Sequence, residues 1–207
     1  MADILYTTID GENVFEFEEK RSVFIGYAKS VSTEAEAKEF IQRIKSKHYD
    51  ARHNCSAFLL RNGQMKYSDD GEPQGTAGIP ILEVIKKSGL VDIVVVVTRY
   101  FGGILLGAGG LVRAYSAGAA GALNNAVKAE FQKCVQFMLE IDYSLYDKIS
   151  RILSNNGVRV INTDYAQNII ITAVIPTFGY KLLCNQITES FSGKIDSIYI
   201  DEIIEKI

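Results

Sequence analysis

Apolar patterning along the chain predicts an α+β protein of two domains, the second of them ferredoxin-like. Three observations carry this reading. The hydrophobic pattern resets around Lys128 to Lys133. After the reset, segments of strand and helix character follow in the order β-α-β-β-α-β, the split-βαβ unit. Before it, strand-like runs are interspersed with three helix-like segments. The boundary is placed near Ala129, giving expected domains 1–129 and 130–207. No low-complexity stretch separates them, so the connection is expected to be short. A chain of 207 residues is long enough for one or two such cores.

The first domain opens with "VFEFEEKRSVFIGYAKS", a strand or pair of strands with alternation at Val23, Ile25 and Tyr27. Thr33 and Glu36 form a T-x-x-E capping pattern ahead of Ala37, Phe40, Ile41 and Ile44 at helical spacing, and the helix is expected to reach about Lys47. "CSAFLLRNGQMKYS" predicts a hairpin, with Asn62-Gly63 in a type I′ turn. "AGIPILEVIKKSG" predicts a helix stopped by Gly89. "VDIVVVVTRY" is apolar and β-branched throughout, as a strand covered on both faces requires. A long helix is expected from Gly107 to about Val127, despite Gly118 and Gly121 inside it. Those glycines cost roughly 1 kcal/mol each against alanine, which close packing on the sheet would offset. In the second domain, "KCVQFMLEIDY" is a strand, "SLYDKISRILSNNG" a helix ending at Gly157, and "VRVINTDYAQNIIITAVI" two strands. "PTFGYKLLCNQITESFSG" is a further helix, and "KIDSIYIDEIIEKI" closes the sheet.

Composition narrows the function classes. The net charge of −3 gives no global basic field, so nucleic-acid binding would need a local patch. Three cysteines far apart, Cys55, Cys134 and Cys184, predict a reducing compartment rather than a disulfide framework. No basic and apolar leader opens the sequence, and runs such as "IVVVV" are too short to span a bilayer. A cytoplasmic protein without membrane contact is expected.

Three glycine-rich elements are candidates for a ligand surface. In "GEPQGTAG", free amides near Gly75 and the Thr76 hydroxyl could receive an anion at a helix start, or the glycines serve turns and Thr76 caps the helix. "TRYFGGI" delivers Arg99, Tyr100, Gly102 and Gly103 at the end of the buried strand. Arginine offers a planar fork for phosphate and tyrosine a stacking face. Alternatively, Arg99 pairs internally with Asp69, Asp70 or Glu72, as a buried arginine normally requires. In "GAGGLVRAYSAGAAG", Gly107, Gly109 and Gly110 open a helix with amides suited to phosphate, and Arg113 has no packing rationale. This element is neither a P-loop nor G-x-G-x-x-G, because Val112 stands at the third glycine position.

Catalytic constellations are thin. His53 and Cys55 share a strand face without partners for a tetrahedral metal, and Asp69, Asp70 and Glu72 occupy a turn that favours such residues conformationally. Ser68 and Ser116 have no base visible in the sequence. No catalytic residue, metal or cofactor is assigned.

"DDGEPQGTAGIPIL" followed by "VVVVTRYFGGILLGAGGLVRAYSAG" closely resembles the signature of the IMPACT/YigZ family, and "RHNCSAFLL" is similar to the segment that family carries upstream. The resemblance implies halves like domains IV and V of elongation factor G: a ribosomal-protein second-domain-like β-α fold, then the ferredoxin-like domain. It further implies a link to translation. Eukaryotic relatives dampen an amino-acid-starvation kinase through an additional N-terminal module, and that role is not expected to carry over to a chain opening directly on the shared domain. The acidic loop is then expected to pack beside the "TRYFGG" and "GAGG" loops, with Asp69, Asp70 and Glu72 positioning Arg99 or Arg113. The surface would contact RNA or the ribosome, or a protein partner in translation control. The alternative is a small-molecule phosphate-transfer enzyme using the glycine-rich loop, since the expected N-terminal fold is similar to that of a family of metabolite kinases.

Overall fold

The computed structural model describes residues 4–206. The chain forms two compact units, Tyr6–Ala129 and a second built from Glu130 onward together with Ile4 and Leu5. Both are α+β.

In the first unit, β2 (Glu12–Glu19), β3 (Ser22–Ser30), β4 (His53–Leu59), β5 (Met65–Ser68) and β6 (Ile93–Tyr100) make one sheet in the order β2-β3-β6-β4-β5. Every neighbouring pair in it is antiparallel. β6 is central, and its alternate residues serve two different cores. Val94 and Val96 face Ala37, Phe40 and Ile44 of helix α1 (Glu34–Lys47). Val95 and Val97 face the other layer, α2 (Gly78–Ser88) and α3 (Ala108–Asn124), through Ile81, Ile85, Ala114 and Ala119. A strand clamped between two helical layers has no polar face, which is why "IVVVV" shows no alternation.

The start of α1 follows the capping pattern. Glu36 N–H donates to Thr33 Oγ1 at 3.2 Å, while the Glu36 carboxylate reaches back to Ser32 N–H at 2.8 Å, one residue before the cap. The β4–β5 turn differs from expectation. Gly63 has φ +86° but Asn62 is not in the left-handed region, so the turn is not type I′. Gly63 N–H donates to Leu60 O at 2.9 Å and Leu60 N–H to Gln64 O at 2.9 Å, the pattern of a three-residue loop with a left-handed glycine. Asn62 instead accepts from Gln64 N–H at 2.9 Å through its side chain.

The second unit contains β7 (Lys128–Ile141), α4 (Tyr146–Asn155), β8 (Arg159–Tyr165), β9 (Ile169–Pro176), α5 (Thr177–Ser190) and β10 (Ser197–Lys206). The order β10-β7-β9-β8 is antiparallel throughout, as the ferredoxin-like reading requires. Ile149, Leu153, Leu183 and Ile187 from the two helices pack on Phe137, Leu139, Ile171 and Ala173 of the sheet. β1 (Ile4–Ile9), which the sequence patterns leave unassigned, also joins β7. Only its last two residues are buried, so it carries no alternation to read.

The glycines inside α3 are explained by backbone approach. A Cβ at Gly26 of β3 would overlap the carbonyl of Gly118, and one at Gly121 would overlap the ring of Phe15. Helix and sheet therefore touch through glycine, and the helix tolerates its low propensity in exchange for that contact. Gly26→Ala is expected to lower unfolding free energy by about 1–3 kcal/mol or more, because the obstacle is backbone that cannot rotate away. Denaturant unfolding checks this; wild-type stability would show that α3 can slide off β3 at no cost.

Candidate functional site

The acidic loop between β5 and α2 spends its carboxylates internally, each on a different task. Asp69 caps α2: one oxygen accepts from Ala77 N–H at 3.1 Å and Gly78 N–H at 2.8 Å, the other from Gly75 N–H at 2.9 Å. The helix start proposed as an anion receptor is thus already filled by an anion of the chain itself. Thr76 is not the cap; its hydroxyl donates to Pro73 O at 2.6 Å. Asp70, at φ +45°, accepts from Asn54 N–H at 2.7 Å and pairs with Lys45 at 2.5 Å.

Glu72 is the member that meets an arginine. Its Oε1 accepts from Arg99 Nη1 at 2.7 Å and from the Tyr115 hydroxyl at 2.8 Å. The side chains of Arg99 and Glu72 are 6% and 4% exposed. Sheet register places Phe24 and His53 on either side of Arg99, and its guanidinium lies 5.6 Å from the centroid of Phe24 and 5.4 Å from that of Phe101. His53 Nδ1 faces Asp70 O at 2.8 Å, so that nitrogen carries the proton, and Nε2 stands 3.9 Å from Glu72 Oε1. Burial pushes the Tyr115 hydroxyl far above its ordinary range and the Cys55 thiol up to about 12, so both stay protonated donors. Cys55 Sγ donates to Asp69 O at 2.9 Å.

The expectation that all three acids position Arg99 or Arg113 is therefore corrected. Glu72 alone touches Arg99, and none touches Arg113. Arg113 is exposed and makes no ion pair among the described residues. It stands one turn into α3 and lines a cleft of about 190 Å³ with Gly110, Lys20, Glu19 and Phe17. Gly107 sits at the cap position of α3 with φ +71° and has no side chain to cap it, and among the described residues no side-chain hydrogen bond reaches the first amides of that helix. Gly107 and Gly109 are exposed and Gly110 half-buried.

Tyr100 is half-buried and committed elsewhere. Its hydroxyl donates to Asp50 at 3.0 Å and accepts from His48 Nδ1 at 2.9 Å, while Tyr27 OH meets His48 Nε2 at 2.6 Å. Burial first, then Lys47, pushes the His48 pKa down, which keeps this ring neutral between its two tyrosines. The exposed ring at this end of β6 is Phe101, at 41%. Gly102 follows with its amide on Ser22 Oγ at 3.2 Å, and Gly103 is exposed with φ +85°. Sequence reasoning missed Arg52, His53 and Phe101 as one group. The signal was present in the register that sets His53 beside Arg99, but pairing across strands is not written in either strand alone. No group of three or more metal-ligating side chains forms among the described residues.

Residues 20–123 match the family described as the Impact N-terminal domain, and residues 139–194 a domain of unknown function, DUF1949. The chain is 40% identical over 194 residues to IMPACT family member YvyE of Bacillus subtilis (strain 168), covering 92% of this chain and 89% of that protein. It is 33% identical over 187 residues to IMPACT family member YigZ of Escherichia coli (strain K12), covering 88% and 92%. A solved structure described as that of a hypothetical protein is 30% identical, with a TM-score of 0.61 over 95% of this chain and 97% of that one.

Because Asp69 satisfies three amides at the start of α2, Asp69→Ala is expected to cost about 2 kcal/mol, the upper end of measured cap losses. Thermal and urea melts check this. A loss within a few tenths of a kcal/mol would mean those amides are equally well served by solvent.

Proposed function

The chain belongs to the IMPACT family, and on that premise we propose that it is a non-enzymatic, cytoplasmic protein of translation that binds RNA or the ribosome through its glycine and arginine loops. The observation that carries this reading is the contrast between two helix starts. The amides of α2 are taken by Asp69, whereas α3 begins at Gly107 with no side-chain cap. Arg113 and Lys20 line a cleft along the flank of α3 that reaches Leu106 and Gly110 in its first turn, and one acid, Glu19, shares the cleft. The positive end of a helix without a side-chain cap, with two cations along the adjoining flank, suits a phosphate oxygen. A polyanion that presents many phosphates needs only such a local patch, so the net charge of −3 does not oppose the reading. Arg99 takes part by holding the acidic loop through Glu72 rather than by touching the ligand.

Co-sedimentation with ribosomes and with structured RNA across a salt series tests the proposal. Binding is expected to fall steeply with salt. Arg113→Ala should weaken it by about 1–3 kcal/mol and reduce the salt slope by about one, while the melting curve stays that of the wild type. Arg113→Lys should restore binding only in part, because an ammonium lacks the planar fork. No sedimentation with either target at low salt would overturn the proposal.

A further inference from the structure

A second cleft, of about 330 Å³, involves Phe101 and Leu105 of the loop after β6. It is lined by Arg52, His53, Glu72, Arg99, Phe101 and Leu105. Its floor is charged and buried, an arrangement that stabilises a fold less than a well-packed apolar floor would. Arg99 Nε there has no hydrogen-bond acceptor, the kind of orphaned donor that native interiors rarely keep. His53 uses its Nδ1 proton on the carbonyl of Asp70, which leaves Nε2 as an acceptor with no hydrogen-bond donor among the described residues, open to a ligand N–H or O–H. Arg52 is exposed, its guanidinium makes no ion pair among the described residues, and it lies over the ring of Phe101, 6.0 Å from its centroid. Two arginines against one glutamate leave the cleft cationic. Beside these groups the wall is apolar, with Phe101 41% and Leu105 83% exposed.

A ligand matching this wall and floor is anionic at one end and flat and apolar at the other. The volume lies at the lower end of small-molecule sites, about 300–1,000 Å³, which suits one unit rather than a helical segment. We infer that this cleft holds a single nucleotide, its phosphate toward Arg52 and its base along Phe101. The inference rests on the RNA reading above, in which an unpaired nucleotide of the bound RNA is the occupant. A free nucleoside monophosphate carries the same chemistry, so the experiment separates the two sources.

The test is a calorimetric or NMR titration of the full chain with nucleoside 5′-monophosphates, the matching nucleosides, inorganic phosphate and an eight-nucleotide single-stranded RNA. The monophosphates are expected to bind about tenfold or more tightly than either half alone. Arg52→Ala and Phe101→Ala should each weaken monophosphate and oligonucleotide binding by about fivefold or more; Arg52→Ala should leave the melting curve unmoved, while Phe101→Ala, which also takes a ring away from Arg99, is compared at a temperature below its own melt. Monophosphate binding no tighter than that of inorganic phosphate would overturn the inference. So would oligonucleotide binding unchanged in both variants, although the RNA reading through Arg113 would then still stand. Monophosphate binding lost in the variants, with no oligonucleotide bound, would support the cleft with a free nucleotide as its occupant and count against the RNA reading.

Discussion

One carboxylate oxygen, Oε1 of Glu72, holds the first unit's functional end together. It accepts from Arg99 on the central strand and from Tyr115 on α3, so a loop, the sheet and a helix converge on a single acceptor. All three partners are buried. A charge in such a place is tolerated only with its counter-charge and its hydrogen bonds in position, and removing either partner leaves the other stranded. Tyr115 can fill its role because burial keeps its hydroxyl protonated, and the same ring packs edge-on against Phe24 at 5.4 Å. Phe24 in turn offers a face to the Arg99 guanidinium. Apolar packing and ion pairing thus support the same three side chains.

The geometry of the surface follows from this anchoring. With Glu72 fixed, the loop before α2 can aim Asp69 at the helix start and Asp70 at Lys45 and the β4 backbone. The acids that make the sequence look like a metal or anion loop are therefore consumed within the fold. What remains outside is mostly cationic, Arg52 in the cleft with Phe101, and Arg113 with Lys20 in the α3 cleft, where Glu19 is the one acid. A chain with a net charge of −3 acquires a local cationic rim by turning its nearest acids inward.

Most of the fold is legible in the sequence because its signals are strong and local. The β6 run, the cap at Thr33, Gly89 at φ +71° and the βαββαβ order each rest on a physical requirement visible within a few residues. The glycines of α3 were legible as a packing requirement, though not that their partners would be Gly26 and Phe15. The site was legible only in part. A single chain reading narrows Arg99 to three acids, but the choice of Glu72 depends on where a turn of positive-φ residues, Asp70 and Gly71, aims the next side chain. The same turn geometry made Asp69, and not Thr76, the cap of α2. The Asn62-Gly63 turn failed as type I′ because a one-residue difference in loop length changes which residue must be left-handed, and composition does not record it.

Glu72 and Arg99 act as one unit, and a double-mutant cycle measures that directly. Unfolding free energies of Glu72→Gln, Arg99→Met and the double variant would be compared with that of the wild type. Each single change is expected to cost about 3–5 kcal/mol, since it strands a buried charge. The double variant should then be at least about 1 kcal/mol more stable than the sum of the two losses, because no charge is left unpaired. Losses that add to within about 0.5 kcal/mol would show that the two residues act independently, and would contradict the claim that one shared ion pair organises this surface.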